Sequence, residues 1–321
     1  MANAEGATVE RAPGVQEGLR ALHANLSKVM FGKQDALTLA LVALLGRGHL
    51  LIEDVPGVGK TVLARALAQS VGGEFRRLQC TPDLLPSDVT GVSVYNQRTQ
   101  VFDFVPGPVF ANILLADEIN RAPPRAQSAL LESMAEQQVT VDGHARRLPS
   151  PFMVIATQNP IEFHGTYPLP EAQLDRFFMR IALGYPDAAS ELRMVASQEH
   201  GHPLDTLQPA LGLGDLAALQ REVEAVRVSE DVMRYALALV QATRDRSDVT
   251  LGASPRATLA LRRAAQALAL LQGGQFATPQ HVKEVARHVL PHRIIARAAS
   301  SQGHPGELVV REVLESVRVP A

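Results

Sequence analysis

Asp54-Val55-Pro56-Gly57-Val58-Gly59-Lys60-Thr61 follows the short apolar run Leu50-Leu51-Ile52 and precedes Leu63, Leu67 and Val71, which recur at i, i+4 and i+8. The order is strand, glycine-rich loop, helix, the setting in which a loop can wrap an anion. Gly57 and Gly59 let main-chain N–H groups turn inward, Lys60 places an ammonium among them, and Thr61 offers a hydroxyl to a divalent cation. The start of the helix adds its dipole. A strict phosphate loop has glycine six positions before the lysine, where this chain has Asp54. Aspartate tolerates unusual backbone angles better than most residues, so the loop is still expected to form. A glycine-rich turn with a chance Lys-Thr is the competing reading, and it leaves the flanking strand and helix unexplained.

Working downstream, Ile113-Leu114-Leu115-Ala116-Asp117-Glu118 is an apolar strand ending in two carboxylates, costly unless a cation sits at its tip. After a phosphate loop this reads as a Walker B motif, with Asp117 holding Mg through water and Glu118 polarising the attacking water as general base. Taken alone, a solvated strand end would look the same. The next strand ends Ala156-Thr157-Gln158-Asn159-Pro160. In a parallel sheet its carboxyl end lies beside that of the Asp117 strand, so the Asn159 amide could orient water near a terminal phosphate, although Asn-Pro is also a common turn. Arg176 enters the last strand, and Arg256 sits in the first turn of a helix behind Ser254 and Pro255. Both suit charge stabilisation of phosphoryl transfer, and a surface ion pair is the ordinary alternative for each.

The rest of the chain is consistent with an α/β nucleotide-binding unit. Apolar spacing over residues 19–45 predicts two helices with a turn at Phe31-Gly32. Similar all-apolar runs at 152–156 and 177–179 predict strands buried on both faces of a parallel sheet, and residues 75–79 a weaker strand nearer an edge. After Pro186 the periodicity is helical only, over 192–197, 216–226, 232–242, 259–271 and 282–290, with Ser229, Ser254 and Thr278 as N-caps and Pro255 and Pro279 at first helical positions. The expected division is a flexible tail at 1–18, a core at 19–185 and a helical lid at 186–321. With 321 residues, 46% hydrophobic, 20% charged and a net charge of -2, the chain can bury a large core but offers no global basic field to nucleic acid. Cys80 is the only cysteine, which fits a reducing, cytoplasmic compartment. No signal peptide or membrane span is expected, and the run at 36–45 is too short for a bilayer. The histidines show no metal spacing; His200-Gly201-His202 falls in an expected loop without acidic or Cys partners.

Together, Glu53 to Thr61 as quoted, Asp117-Glu118-Ile119-Asn120-Arg121-Ala122-Pro123-Pro124, Ala156-Thr157-Gln158-Asn159-Pro160 and Gly165-Thr166-Tyr167-Pro168-Leu169-Pro170-Glu171-Ala172-Gln173-Leu174-Asp175-Arg176-Phe177 resemble the MoxR family of AAA+ ATPases, from about residue 20 to the C-terminus. That family accepts Asp at position 54. The resemblance implies a P-loop NTPase of the ASCE type, sheet order 5-1-4-3-2, with ATP and Mg2+ between core and lid. It implies nucleotide contacts from Phe31, Gly32, Pro56, Gly57, Val58, Gly59, Lys60, Thr61 and Val62, and metal contacts from Thr61 and Asp117. It also implies that Asn159 serves as sensor 1, Arg256 as sensor 2 and Arg176 as an arginine finger acting in trans within a ring, usually a hexamer. Residues 92–109 would be the helix-2 insert and 137–151 the hairpin before sensor 1, where Val139-Thr140-Val141-Asp142-Gly143 is independently hairpin-like. Members act as chaperone-like ATPases on protein clients, often beside partners with a von Willebrand factor A domain.

Three functions compete: ATP-driven remodelling or maturation of protein clients, a nucleic-acid motor ring, and an ATP-gated scaffold that docks a partner. Balanced charge and the lack of an aromatic, basic single-strand platform weigh against the second. Glu118, which a pure binding module would not need, weighs against the third.

Overall fold

The computed structural model describes residues 14–160, 165–199, 201–297 and 304–320. Most of the segment expected to be a tail, and His200, lie outside the described residues. Helix α1 (Val15–Ser27) already includes the last part of that segment, because Val15, Leu19, Leu22 and Leu26 form one buried stripe. It is followed by α2 (Gln34–Leu45), β1 (Leu50–Glu53), α3 (Lys60–Ser70) and β2 (Phe75–Gln79). Next come α4 (Pro86–Thr90), β3 (Gly91–Asn96), β4 (Val101–Pro106), β5 (Ile113–Asp117), α5 (Pro124–Glu136), β6 (Gln138–Val141), β7 (His144–Arg147), β8 (Met153–Gln158), α6 (Glu171–Leu174) and β9 (Met179–Ile181).

Five of these strands form one sheet in the order β2-β5-β8-β1-β9, every neighbouring pair parallel. Numbered as five core strands, this is the expected 5-1-4-3-2. Side-chain alternation sends Leu50, Ile52, Ile113, Leu115, Met153 and Ile155 to one core, and Leu51, Leu114, Ala116, Val154 and Ala156 to the other. The first face is covered by α1, α2 and α3, the second by α5. This explains why the strands read as unbroken apolar runs rather than alternating ones. β2 is the edge, half-exposed along most of its length.

Two antiparallel hairpins leave this core: β3–β4, whose arms pair from Gly91↔Pro106 to Asn96↔Val101, and β6–β7. The second turns through Asp142 at φ 51° and Gly143 at φ 75°, the conformation an Asp-Gly turn favours. The Arg146 guanidinium lies 3.9 Å over the Phe104 ring, joining the hairpins.

Beyond β9 lie α7 (Ala188–Ser197), α8 (Leu213–Ala225), β10 (Arg227–Val228), α9 (Glu230–Ala242), β11 (Val249–Leu251), α10 (Pro255–Leu271), β12 (Phe276–Ala277), α11 (Pro279–Val289), β13 (Ile295–Ala296) and α12 (Pro305–Ser316). Ser229, Ser254 and Thr278 accept N–H bonds from Val232, Arg256 and His281 and cap their helices. The expectation of helices alone in this region needs a correction: β10–β12 and β11–β13 form two small ladders, too short for a two-residue period to register. No helix among the described residues is long and apolar enough to cross a membrane.

Candidate nucleotide site

The loop from Asp54 to Thr61 leaves the carboxyl end of β1. Gly57 and Gly59 adopt φ 84° and 98°, where a side chain would be strained, and no atom lies within 4 Å of where a Gly57 Cβ would project. The result is an open cradle. Pro56 and Gly57 are exposed, Val58 is buried, and Thr61 and Val62 are half-buried. Lys60 opens α3, its Nζ donating to the Asp54 carbonyl at 2.6 Å.

Asp54 contributes no unusual backbone angle, contrary to the expectation from the sequence: its φ is not positive, and its side chain shapes the loop instead. Oδ2 accepts N–H bonds from Leu183 and Gly184, both at 2.6 Å, and Oδ1 accepts from Val55 at 2.8 Å. The carboxylate thereby ties the start of the loop to the strap that carries the chain from core to lid. Buried Lys33 donates to the Gly184 carbonyl at 2.7 Å. Burial lowers its pKa, an effect opposed by the charges of Asp54 and Asp187. A cavity of about 420 Å³ lies between the loop, the Phe31-Gly32 turn and the lid, lined by Phe31, Lys33, Gly57, Val62, Tyr185 and Met194 among others. Gly32, at φ 69°, touches α7 so closely that a Cβ would sit 2.5 Å from Ser190 Oγ.

At the tip of β5 both Asp117 oxygens are occupied: Oδ1 accepts from Thr157 Oγ1 at 2.6 Å and Oδ2 from Arg77 at 2.6 Å. Thr157 Oγ1 in turn accepts the Glu118 N–H at 2.9 Å. Glu118 sits at φ 58°, a left-handed position that costs a non-glycine residue about 1 kcal/mol or more. Its Oε2 accepts from Arg121 at 3.0 Å and Gln79 Nε2 at 3.3 Å. Beneath this pair the Cys80 thiol is pushed up to about 12, chiefly by burial and then by the charges of Asp117 and Glu118. Among the described residues no group of three or more His, Cys, Asp or Glu could cage a metal. A lone carboxylate with a threonine hydroxyl across a phosphate cradle suits Mg2+, which takes one or two carboxylates and completes its shell with water and substrate phosphates. The donors present therefore fit Mg2+ and a nucleotide.

Asn159 is buried just beyond the end of β8, the strand between β5 and β1, so it shares the loop's end of the sheet. Arg176 and Arg256 do not. Arg176 lies in the turn before β9, where the Phe178 N–H bonds the His49 carbonyl at the amino end of β1; its guanidinium donates to the Leu131 carbonyl at 2.6 Å. Arg256 approaches the neighbouring Asp175 carboxylate at 3.9 Å. Four residues of strand, about 13 Å, separate this end of β1 from the loop.

Residues 49–179 match the family model of the ATPase family associated with various cellular activities (AAA), and 241–313 that of the AAA lid domain. Chaperone MoxR1 of Mycobacterium tuberculosis is 43% identical, over 97% of this chain and 86% of that protein. The chain belongs to the MoxR family of AAA+ ATPases. YeaC of Bacillus subtilis is 52% identical over 92% of this MoxR-family chain and 93% of its own length. A crystal structure of an ATPase candidate from Cytophaga hutchinsonii superposes with a TM-score of 0.87 at 38% identity, covering 96% of each chain. In this MoxR protein the fold brings the loop, Asp117, Glu118 and Asn159, all expected from the sequence, to one end of the sheet. Lys33, Arg77, Gln79 and Thr157 join them without having been expected. Thr157 stood inside a quoted motif; Arg77 and Gln79 lie on an edge strand whose only signal was weak β propensity.

Proposed function

We propose that this chain hydrolyses ATP to ADP and phosphate as one subunit of a homo-oligomeric, six-membered ring. The work done is chaperone-like remodelling or maturation of protein clients. The observation that carries this reading is the split of the site. Loop, carboxylates and Asn159 occupy one end of the sheet, while Arg176 and Arg256 lie at the other, away from this chain's own loop, which supports a role for them at a neighbouring copy's nucleotide.

In this reading the main-chain amides of 57–61 and the Lys60 ammonium hold the β- and γ-phosphates. Thr61 and Asp117 hold Mg2+, whose charge offsets that of the phosphates. Lys60, now on the Asp54 carbonyl, and Asp117, now paired with Arg77, are the groups that would hold phosphate and Mg2+. Glu118, aimed by its left-handed backbone and by Thr157, accepts a proton from the attacking water, and Asn159 orients that water. Phe31 and Val62 line the cavity beside the loop, and Gly32 holds the turn that carries Phe31 against Ser190. Arg176 and Arg256 stabilise developing charge in the adjacent site.

Purified protein should hydrolyse ATP with Mg2+ and without DNA, and Glu118→Gln should bind nucleotide yet turn over at least ~100-fold more slowly. Hydrolysis that appears only when DNA is added would replace this reading with a nucleic-acid motor. A Glu118→Gln ring that still supports the cellular role would favour an ATP-gated scaffold. The trapped Glu118→Gln form is also the bait for the client, and a protein with a von Willebrand factor A domain is the first partner to look for.

A further inference from the structure

Arg176 projects from a turn whose N–H groups bond within the turn and to His49, while its carbonyls are held by the lid. Buried Arg293, from the turn after α11, donates Nε to Asp175 Oδ1 at 2.9 Å. Its terminal nitrogens reach the carbonyls of Phe177 at 2.6 Å, Asp175 at 3.3 Å and Phe178 at 3.3 Å, and that of Val289 at the end of α11. Adjacent His292 meets the Phe177 carbonyl through Nε2 at 3.1 Å. The second Asp175 oxygen accepts from Ser254 Oγ at 2.9 Å, and Ser254 caps the helix that carries Arg256. The carbonyls on both sides of Arg176 and both oxygens of the preceding carboxylate are thus bound by lid residues.

A buried carboxylate–guanidinium pair gains little stability over an apolar contact of the same volume, because both charges are desolvated. What such a pair supplies is one fixed geometry. Here it fixes the two arginines against each other, Ser254 leading α10 and Asp175 preceding Arg176. The same lid reaches the nucleotide cavity through α7, where Ser190 and Met194 line it.

We infer that Asp175, Arg293 and Ser254 are positioning residues for Arg176 and Arg256, so that the lid closing on a subunit's own nucleotide sets the arginines it presents to its neighbour. This rests on the ring reading above.

The test uses mixed rings. Arg176→Ala subunits keep an intact site without a finger, and Glu118→Gln subunits keep the finger without turnover. Mixing the two should restore hydrolysis; if it does not, arginine supply in trans is wrong and the inference falls with it. The discriminating donors then carry a second change at Ser254. Asp caps a helix as well as Ser does but sets a carboxylate against Asp175, whereas Asn caps and can still donate to it. Glu118→Gln/Ser254→Asp donors should restore at least ~10-fold less activity than Glu118→Gln donors, with their own affinity for a fluorescent ATP analogue changed less than about twofold, and Ser254→Asn should recover most of the difference. Full restoration by the Asp donor overturns the inference. If the Asp donor fails to bind nucleotide at all, Ser254→Ala decides in its place: loss of donation with retained nucleotide binding supports the inference, and full donation overturns it.

Discussion

Thr157 shows how much of this site hangs on one hydroxyl. It donates to Asp117 and accepts from the Glu118 main chain, so in the proposed mechanism it would orient the metal-side carboxylate and the general base together. Thr157→Val keeps the shape and removes both bonds. Outer-shell partners of this kind are worth about 10–100-fold, and the loss should fall on kcat, with nucleotide affinity nearly unchanged in a fluorescence titration. An equal fall in affinity would mean that Thr157 only supports the fold. Asp54 illustrates the opposite case, a departure from a motif whose reason is tertiary. Its three N–H bonds replace what backbone freedom was expected to supply, and only the position of residues 183–184 makes that visible.

Among the elements, β1 and the turn before α2 carry the clearest expectations. His49 leads into β1 as a neutral imidazole: Nε2–H donates to the Met134 carbonyl at 3.1 Å, and Nδ1 accepts the Val154 N–H at 2.9 Å. A second proton has no acceptor, and burial pulls the pKa from 6.5 down to about 4. Between those values the unfolded chain binds a proton that the folded chain refuses. Stability is therefore full above about pH 6.5 and falls as pH drops toward 4, by about 3 kcal/mol for this group. Urea unfolding at pH 7 and 5 should show a smaller acid loss in His49→Gln, the buried His292 acting equally in both proteins; an identical loss would clear His49. Gly32→Ala should drive a methyl into Ser190, and with its positive φ should cost about 1–2 kcal/mol and weaken nucleotide binding about tenfold or more. Unchanged affinity would show that the cavity does not use this turn.

These elements also mark how far the sequence could be read. The loop, the strand ending at Asp117 and Glu118, the sheet and the lid caps were legible because each is set by local pattern: apolar runs, a glycine spacing, a Ser-Pro start. The small lid ladders and the contacts of Arg77, Gln79 and Lys33 were not, since each depends on which strand lies beside which. Arg256 was placed correctly on its helix, yet nothing in the chain order foretold that the helix would begin against Asp175, at the far end of the sheet from the loop.

For the molecule as a whole, the proposed mechanism turns that separation into a dependence of turnover on the assembly. Arg176→Ala should leave ATP affinity within about twofold while lowering kcat by about 1,000-fold, and wild-type specific activity should rise with protein concentration as rings form. A monomer that hydrolyses ATP at the full rate would refute the division of labour between copies. The buried thiol has a practical corollary. With Cys80 fully enclosed and its proton held to about 12, the native chain is a silent background for maleimide dyes, since the thiolate is the reacting form. A cysteine introduced at exposed Thr99, between the arms of β3 and β4, would be the sole labelled position, reporting hairpin movement by fluorescence without replacing Cys80.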